Sequence, residues 1–213
     1  MEGGHAAGQS RSDRMLELGA ILVLSVTLVA TAWSGYQAAR WSGDQSRLYT
    51  EASGLRVKSA EQATLAGQAR IDDLLYFNHW LDAYESGNRE LARIYRRRFR
   101  KEFEPAFLAW MAQRPFTNPD AIPGPLYMPQ YRPAALARAA EHDRHAEELF
   151  REGIDAKEHD DDYILSTVFF AMVLFFAGVS MRLDWRRLRI VVFGLSCLLL
   201  LCGLGFVLSL PTA

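Results

Sequence analysis

Three stretches of this 213-residue chain carry almost no charge: Met15 to Tyr36, interrupted only by Glu17, then Tyr163 to Met181, and Ile190 to Leu210. A helix rises about 1.5 Å per residue, so about 20 residues cross a hydrocarbon layer of about 30 Å. A buried helix of a soluble protein accounts for one such run, but not for three in one chain. The sequence therefore reads as an all-α membrane protein with transmembrane helices over 15–36, 163–181 and 190–210. Its near-neutral net charge averages over unlike segments and conceals this division.

The first run also fits a secretory signal, since Arg11 and Arg14 precede an apolar core ending in Ala30-Thr-Ala32. A retained anchor fits better. The apolar span is long for a signal core, and Trp33, Tyr36 and Trp41 stand where interfacial aromatics anchor a spanning helix, as Trp185 does beside the later spans.

Orientation follows from lysine and arginine in short flanking segments. Arg182, Arg186, Arg187 and Arg189 crowd the loop 182–189, and Arg11 and Arg14 lie in the tail 1–14, which places both segments in the cytoplasm. Asp160, Asp161 and Asp162 flank the second span on the opposite side. Residues 37–162 then form an extracytoplasmic domain and 211–213 a short outer tail. Arg40 and Arg47 are the dissenting charges.

That domain reads as helical almost throughout. Leu48, Ala52, Leu55, Ala63, Ala66, Leu74 and Phe77 recur at threes and fours, describing one or two Ala-rich amphipathic helices with Gly54 and Gly67 as weak points. Ser86-Gly-Asn88 reads as a turn. A second helix over about 89–113 would gather Leu91, Ile94, Tyr95, Phe99, Phe103, Phe107, Leu108 and Met111 on one side, with a kink at Pro105. Six of the eight prolines fall in 114–133, a connector that ordinary helix cannot cross, and a third helix starts near Pro133. Helix lengths fit a coiled-coil-like stalk and a compact bundle equally. Cys197 and Cys202, both in the last span, read as packing residues at a spacing unsuited to a bridge.

Candidate chemistry is sparse. Arg93, Arg96, Arg97, Arg98, Arg100 and Lys101 form a basic run, yet Glu90, Glu102 and Glu104 surround it and the domain holds more acidic than basic residues. A solvated, ion-paired face is preferred over a polyanion or lipid-headgroup site. His142, His145 and Glu148 follow at three-residue steps on one helical face, as divalent-metal ligands would, though without the H-E-x-x-H pattern. No phosphate-cradling loop, nucleophile elbow or outer cysteine marks an enzyme, and spans two and three lack the charged residues of a proton relay. Within span one, Ala20, Thr27, Thr31, Ser34 and Ala38 form a stripe suited to close helix packing or, in an oligomer, to lining a pore.

TAWSGYQAARWSG after span one, and YILSTVFFAMVLFFAG followed by an Arg-rich loop and a Leu/Gly-rich last span, resemble uncharacterised bacterial integral membrane proteins of unknown function. Those proteins have one N-terminal span, a helical extracytoplasmic insert and two C-terminal spans. The resemblance covers the membrane regions better than the Pro-rich middle; it implies a topology and a bacterial plasma (inner) membrane location, and no activity. The expected function is that of a non-enzymatic protein without a cofactor, whose outer helices bind a partner or ligand while its spans anchor and oligomerise it. The alternatives are a subunit of a small oligomeric ion channel with span one around the pore, and a divalent-metal-binding envelope protein. Expected partners are the lipid bilayer, further copies of the chain and another membrane or envelope protein, with no nucleic acid.

Overall fold

The computed structural model describes the backbone from residue 11 and the side chains from residue 14, so most of the tail 1–14, including the Arg11 side chain, lies outside the described residues. Those residues form helices and no strands: α1 (Arg11–Glu85), α2 (Arg89–Arg96), α3 (Glu104–Ala112), a 3-10 turn at Pro125–Tyr127, α4 (Ala134–Arg182) and α5 (Arg186–Ser209). Three of them, α1, α4 and α5, are long and apolar enough to cross a membrane. The chain divides into two units. One holds the residues up to Leu48 together with Arg151–Ala213, and the other holds Tyr49–Phe150.

In the first unit, three apolar helices turn inward faces that repeat at threes and fours. Buried positions are Ala20, Val23, Thr27, Ala30, Ser34 and Gln37 on α1, and Tyr163, Ser166, Phe170, Val173, Ala177 and Ser180 on α4. Ser196, Leu200, Gly203 and Val207 complete the set on α5. Alternating three- and four-residue steps are the seam of helices crossing at a shallow angle. Outward faces carry Leu18, Leu22, Val29, Phe175, Leu198 and Leu208, all exposed. Along the apolar runs the hydroxyls thus lie inside and large aliphatic side chains outside, which a protein built for water would avoid. Three of these hydroxyls donate back along their own helices, Thr27 to the Val23 carbonyl at 2.6 Å, Ser166 to Tyr163 at 2.7 Å and Ser180 to Ala177 at 2.6 Å, so the burial of these three leaves no donor stranded.

The second unit packs the far half of α1 against α2, α3, the connector and the start of α4. Gly87, at φ +75°, takes the left-handed turn that closes α1, and the Asn88 side chain accepts the Leu91 N–H at 3.1 Å to open α2. The single kinked helix expected over 89–113 is instead two helices, because Pro105 sits in the first turn of α3, where its missing N–H costs nothing. That break resets the helical phase. Phe103 and Phe107 are fully buried, whereas Leu91, Ile94 and Leu108 are exposed. On α1 the inward side chain is Asp73 rather than Leu74, which is 45 % exposed. Phe77, Trp80, Phe103, Phe107 and Trp110 form the core, with Phe77 on Trp110 at 5.2 Å and 86° and Trp80 on Phe107 at 4.7 Å and 86°. Edge-on pairs of this kind place positive ring edges against negative faces.

Gly54 and Gly67 leave α1 unbroken, and α4 joins the third outer helix to the second span without interruption. The turn between α4 and α5 is shorter than the loop 182–189, since α5 already begins at Arg186.

Candidate functional site

A buried ionic cluster lies in the second unit, centred on Asp73, whose side chain is 1 % exposed. Arg100 grips it with two parallel bonds, Nε to Oδ1 at 2.9 Å and Nη2 to Oδ2 at 2.8 Å, and the Tyr131 hydroxyl donates to Oδ2 at 2.9 Å. Arg100 also reaches Glu102 at 3.3 Å, and Glu102 accepts the Ala134 N–H at the head of α4. Asp73 thereby ties α1 to the α2–α3 turn and the connector, and Glu102 extends the tie to α4. The planar fork of arginine fits this bidentate geometry, and three charge-assisted or hydroxyl bonds occupy the carboxylate. With three bonds made and 1 % of its side chain exposed, Asp73 works as a clamp between these segments.

Burial, and then the hydrogen bond to Asp73, push the Tyr131 hydroxyl from 10.0 up to about 12. Between those values the unfolded chain has lost the proton that the folded chain keeps, so the stability this group contributes is intact below pH 10.0 and is lost as the pH rises towards about 12. Tyr131→Phe is therefore expected to remove one alkaline component of unfolding, read as the difference between wild-type and variant melting curves across that window.

The rest of the basic run divides by register. Arg96 pairs with Glu104 at 3.3 Å and lies over the Phe107 ring at 4.6 Å. Arg93, Arg97, Arg98 and Lys101 are exposed. Clamp and solvated face are therefore interleaved in one segment, a split that identical residue types hide.

His142, His145 and Glu148 are not gathered into a metal centre. No group of three His, Cys, Asp or Glu side chains with that geometry occurs among the described residues, and Glu148 instead pairs with Arg144 at 3.3 Å. Near the second span, Lys157 pairs with Asp160 and Asp161. His159 packs against Trp41 at 4.7 Å with the rings tilted by 54°, and the Trp41 indole donates to the Pro211 carbonyl at 3.3 Å, which the Tyr163 hydroxyl also reaches at 3.1 Å. Trp41 is thus turned inward, while Trp33, Tyr36 and Trp185 stay exposed as interfacial anchors would. Arg182, Arg186 and Arg187 are exposed and Arg189 is half-buried; Arg14 is exposed at the other end of the run.

Most of the small-residue stripe of span one faces α4 and α5 of its own chain. Ala20, Thr27, Ser34 and Ala38 are buried, with Thr27 and Ser34 at 0 % exposure, and Thr31 is half-buried. Thr27 and Ser34 therefore pack within the chain. Ser34 Oγ and Gln37 Oε1 are buried without a hydrogen-bond partner, the two such side-chain atoms among the described residues. An apolar groove of about 650 Å³ runs between α1 and α5 past Val26, Val29, Trp33 and Leu208. Compared with protein-family models, curated proteins and solved structures, the chain gives no match.

Proposed function

We propose that the chain is a non-enzymatic integral membrane protein of a bacterial inner membrane, held by three spans and presenting residues 37–162 outside the cytoplasm to a protein partner. The side-chain distribution of the first unit carries this reading: its hydroxyls lie inside among the core side chains, while large aliphatic ones face outward along the apolar runs. Such a distribution suits hydrocarbon, where packing rather than water expulsion holds helices together. The exposed arginines of the α4–α5 turn against the aspartates at 160–162 support this orientation. The signal-peptide alternative is disfavoured because Ala30-Thr-Ala32 lies in the middle of a helix that continues to Glu85.

A cysteine placed at Ser86 or Asn118, in a chain whose Cys197 and Cys202 are serine, should react with a membrane-impermeant maleimide in intact spheroplasts, and one at Asp184 should not. The reverse pattern would overturn the orientation. Intact mass of the purified chain tests the anchor, since a species that begins after Ala32 would mean cleavage.

A further inference from the structure

α1 carries a second apolar stripe, on the side of the helix away from the core of its unit. Val57, Ala60, Thr64, Gly67, Ile71 and Leu74 are all exposed, and they alternate at three- and four-residue steps. Val57 and Ile71 are 69 % and 66 % exposed, while Ala52, Ala66, Phe77 and Trp80 fill the inward face of the same helix. No charged residue falls in the stripe. An alternation of threes and fours is the spacing by which the core positions of two packed helices meet.

We propose that this stripe is the seam of a parallel homodimer, with α1 of one copy packed along α1 of a second copy. The proposal rests on membrane insertion as argued above, but not on which side the domain faces. Two chains inserted the same way in one bilayer direct their α1 helices the same way, so a self-contact along this face is parallel. Charge complementarity agrees with that register. With Val57 and Ala60 as the paired core positions, Arg56 precedes the first and Glu61 follows the second, and in a parallel pair Arg56 faces Glu61 of the second copy. Within one chain Arg56 lies over the Phe150 ring at 4.9 Å and pairs with Glu147 at 3.7 Å with both side chains about half exposed, an ion pair weak enough to exchange. Ala60, Thr64 and Gly67 keep the middle of the seam thin. A Cβ at Gly67 would meet nothing within 4 Å, so the face is open to a close backbone approach. Asn78, exposed one step beyond Leu74, falls at a core position where a self-paired amide fixes register and copy number.

The test uses the full chain with Cys197 and Cys202 as serine. Oxidative crosslinking in native membranes should give a disulfide dimer with Ile71→Cys and about tenfold less with Asp72→Cys, an exposed neighbour outside the seam. In nanodiscs, Ile71→Glu with Leu74→Glu should raise the dimer dissociation constant about a hundredfold or more, because like charges meet across the seam. Helicity and the alkaline Tyr131 component should stay unchanged, since both positions are exposed in the single chain. A monomeric wild type, equal crosslinking at both cysteines, an assembly larger than two, a different protein or lipid on the stripe, or a dimer that survives the glutamates would each overturn the proposal. Failure of the maleimide pattern alone would strike the orientation and leave the seam standing.

Discussion

Arg100→Ala is expected to cost the second unit about 3 kcal/mol, more than any other single change in the basic run. The substitution leaves Asp73 buried at 1 % exposure with only the Tyr131 hydroxyl as a partner. An ionised carboxylate stripped of its cation in the interior bears most of its desolvation cost unrepaid, and the range for breaking such pairs is about 3–5 kcal/mol. The retained hydroxyl bond and the partial exposure of Arg100 put the effect at the lower end. Arg100→Lys should recover only part of the loss, because an ammonium cannot reproduce the two parallel bonds at 2.9 and 2.8 Å. Arg97→Ala and Arg98→Ala, which remove exposed cations, should stay within about 0.5 kcal/mol of wild type. Hydrogen exchange across 89–133 is the appropriate readout, as it reports local opening without assuming that the whole chain unfolds in one step. Equal protection in Arg100→Ala and Arg97→Ala would show that the clamp contributes nothing.

This contrast also shows what the sequence could and could not disclose. Spanning helices are legible because a bilayer imposes a long, charge-free run, and composition alone records it. Helix α1 outlasts its glycines because Gly54 and Gly67 lie on an exposed face, and a cost of about 1 kcal/mol each is spread over a helix of 75 residues. Pro105 misleads because a proline that breaks one helix is equally suited to start another, and only the phase of the flanking residues decides. That phase changed between Tyr95 and Phe103, so the apolar face extrapolated from Leu91 and Ile94 turned outward. Asp73 was hidden for a related reason. A period-based reading assigns the apolar Leu74 to the core, and no local rule announces that its acidic neighbour has a cation waiting 27 positions away. The stripe of span one was legible as small residues, but its partner was not, since only tertiary contact reveals that α4 and α5 cover it.

Gly203→Leu is expected to destabilise the first unit by about 3 kcal/mol, at the upper end for overpacked interiors. A Cβ at position 203 would stand 2.9 Å from the Phe170 Cε1 atom and 3.4 Å from Cδ1, closer than real Cβ atoms approach a neighbour. Phe170 has no exposed surface and belongs to one cluster with Val173, Ala177, Leu200 and Val207, so its ring cannot swing clear without moving α5. Gly203→Ala is the milder case. It pays the same first contact, but a gain of about 1 kcal/mol in helix propensity offsets part of that cost. Gly194→Ala meets no atom within 4 Å, keeps the propensity gain and should be neutral or slightly stabilising. With the exposed Cys202 replaced by serine, a thiol-reactive dye can follow all three in detergent, because half-buried Cys197 becomes reactive when α5 separates. For a chain of this size each kcal/mol corresponds to about 2–4 °C in Tm. Phe170→Leu should rescue Gly203→Ala in the double variant by vacating the space the new methyl needs. Failure of that rescue, or a Gly203→Leu chain as stable as Gly194→Ala, would mean that α4 and α5 do not meet at this glycine.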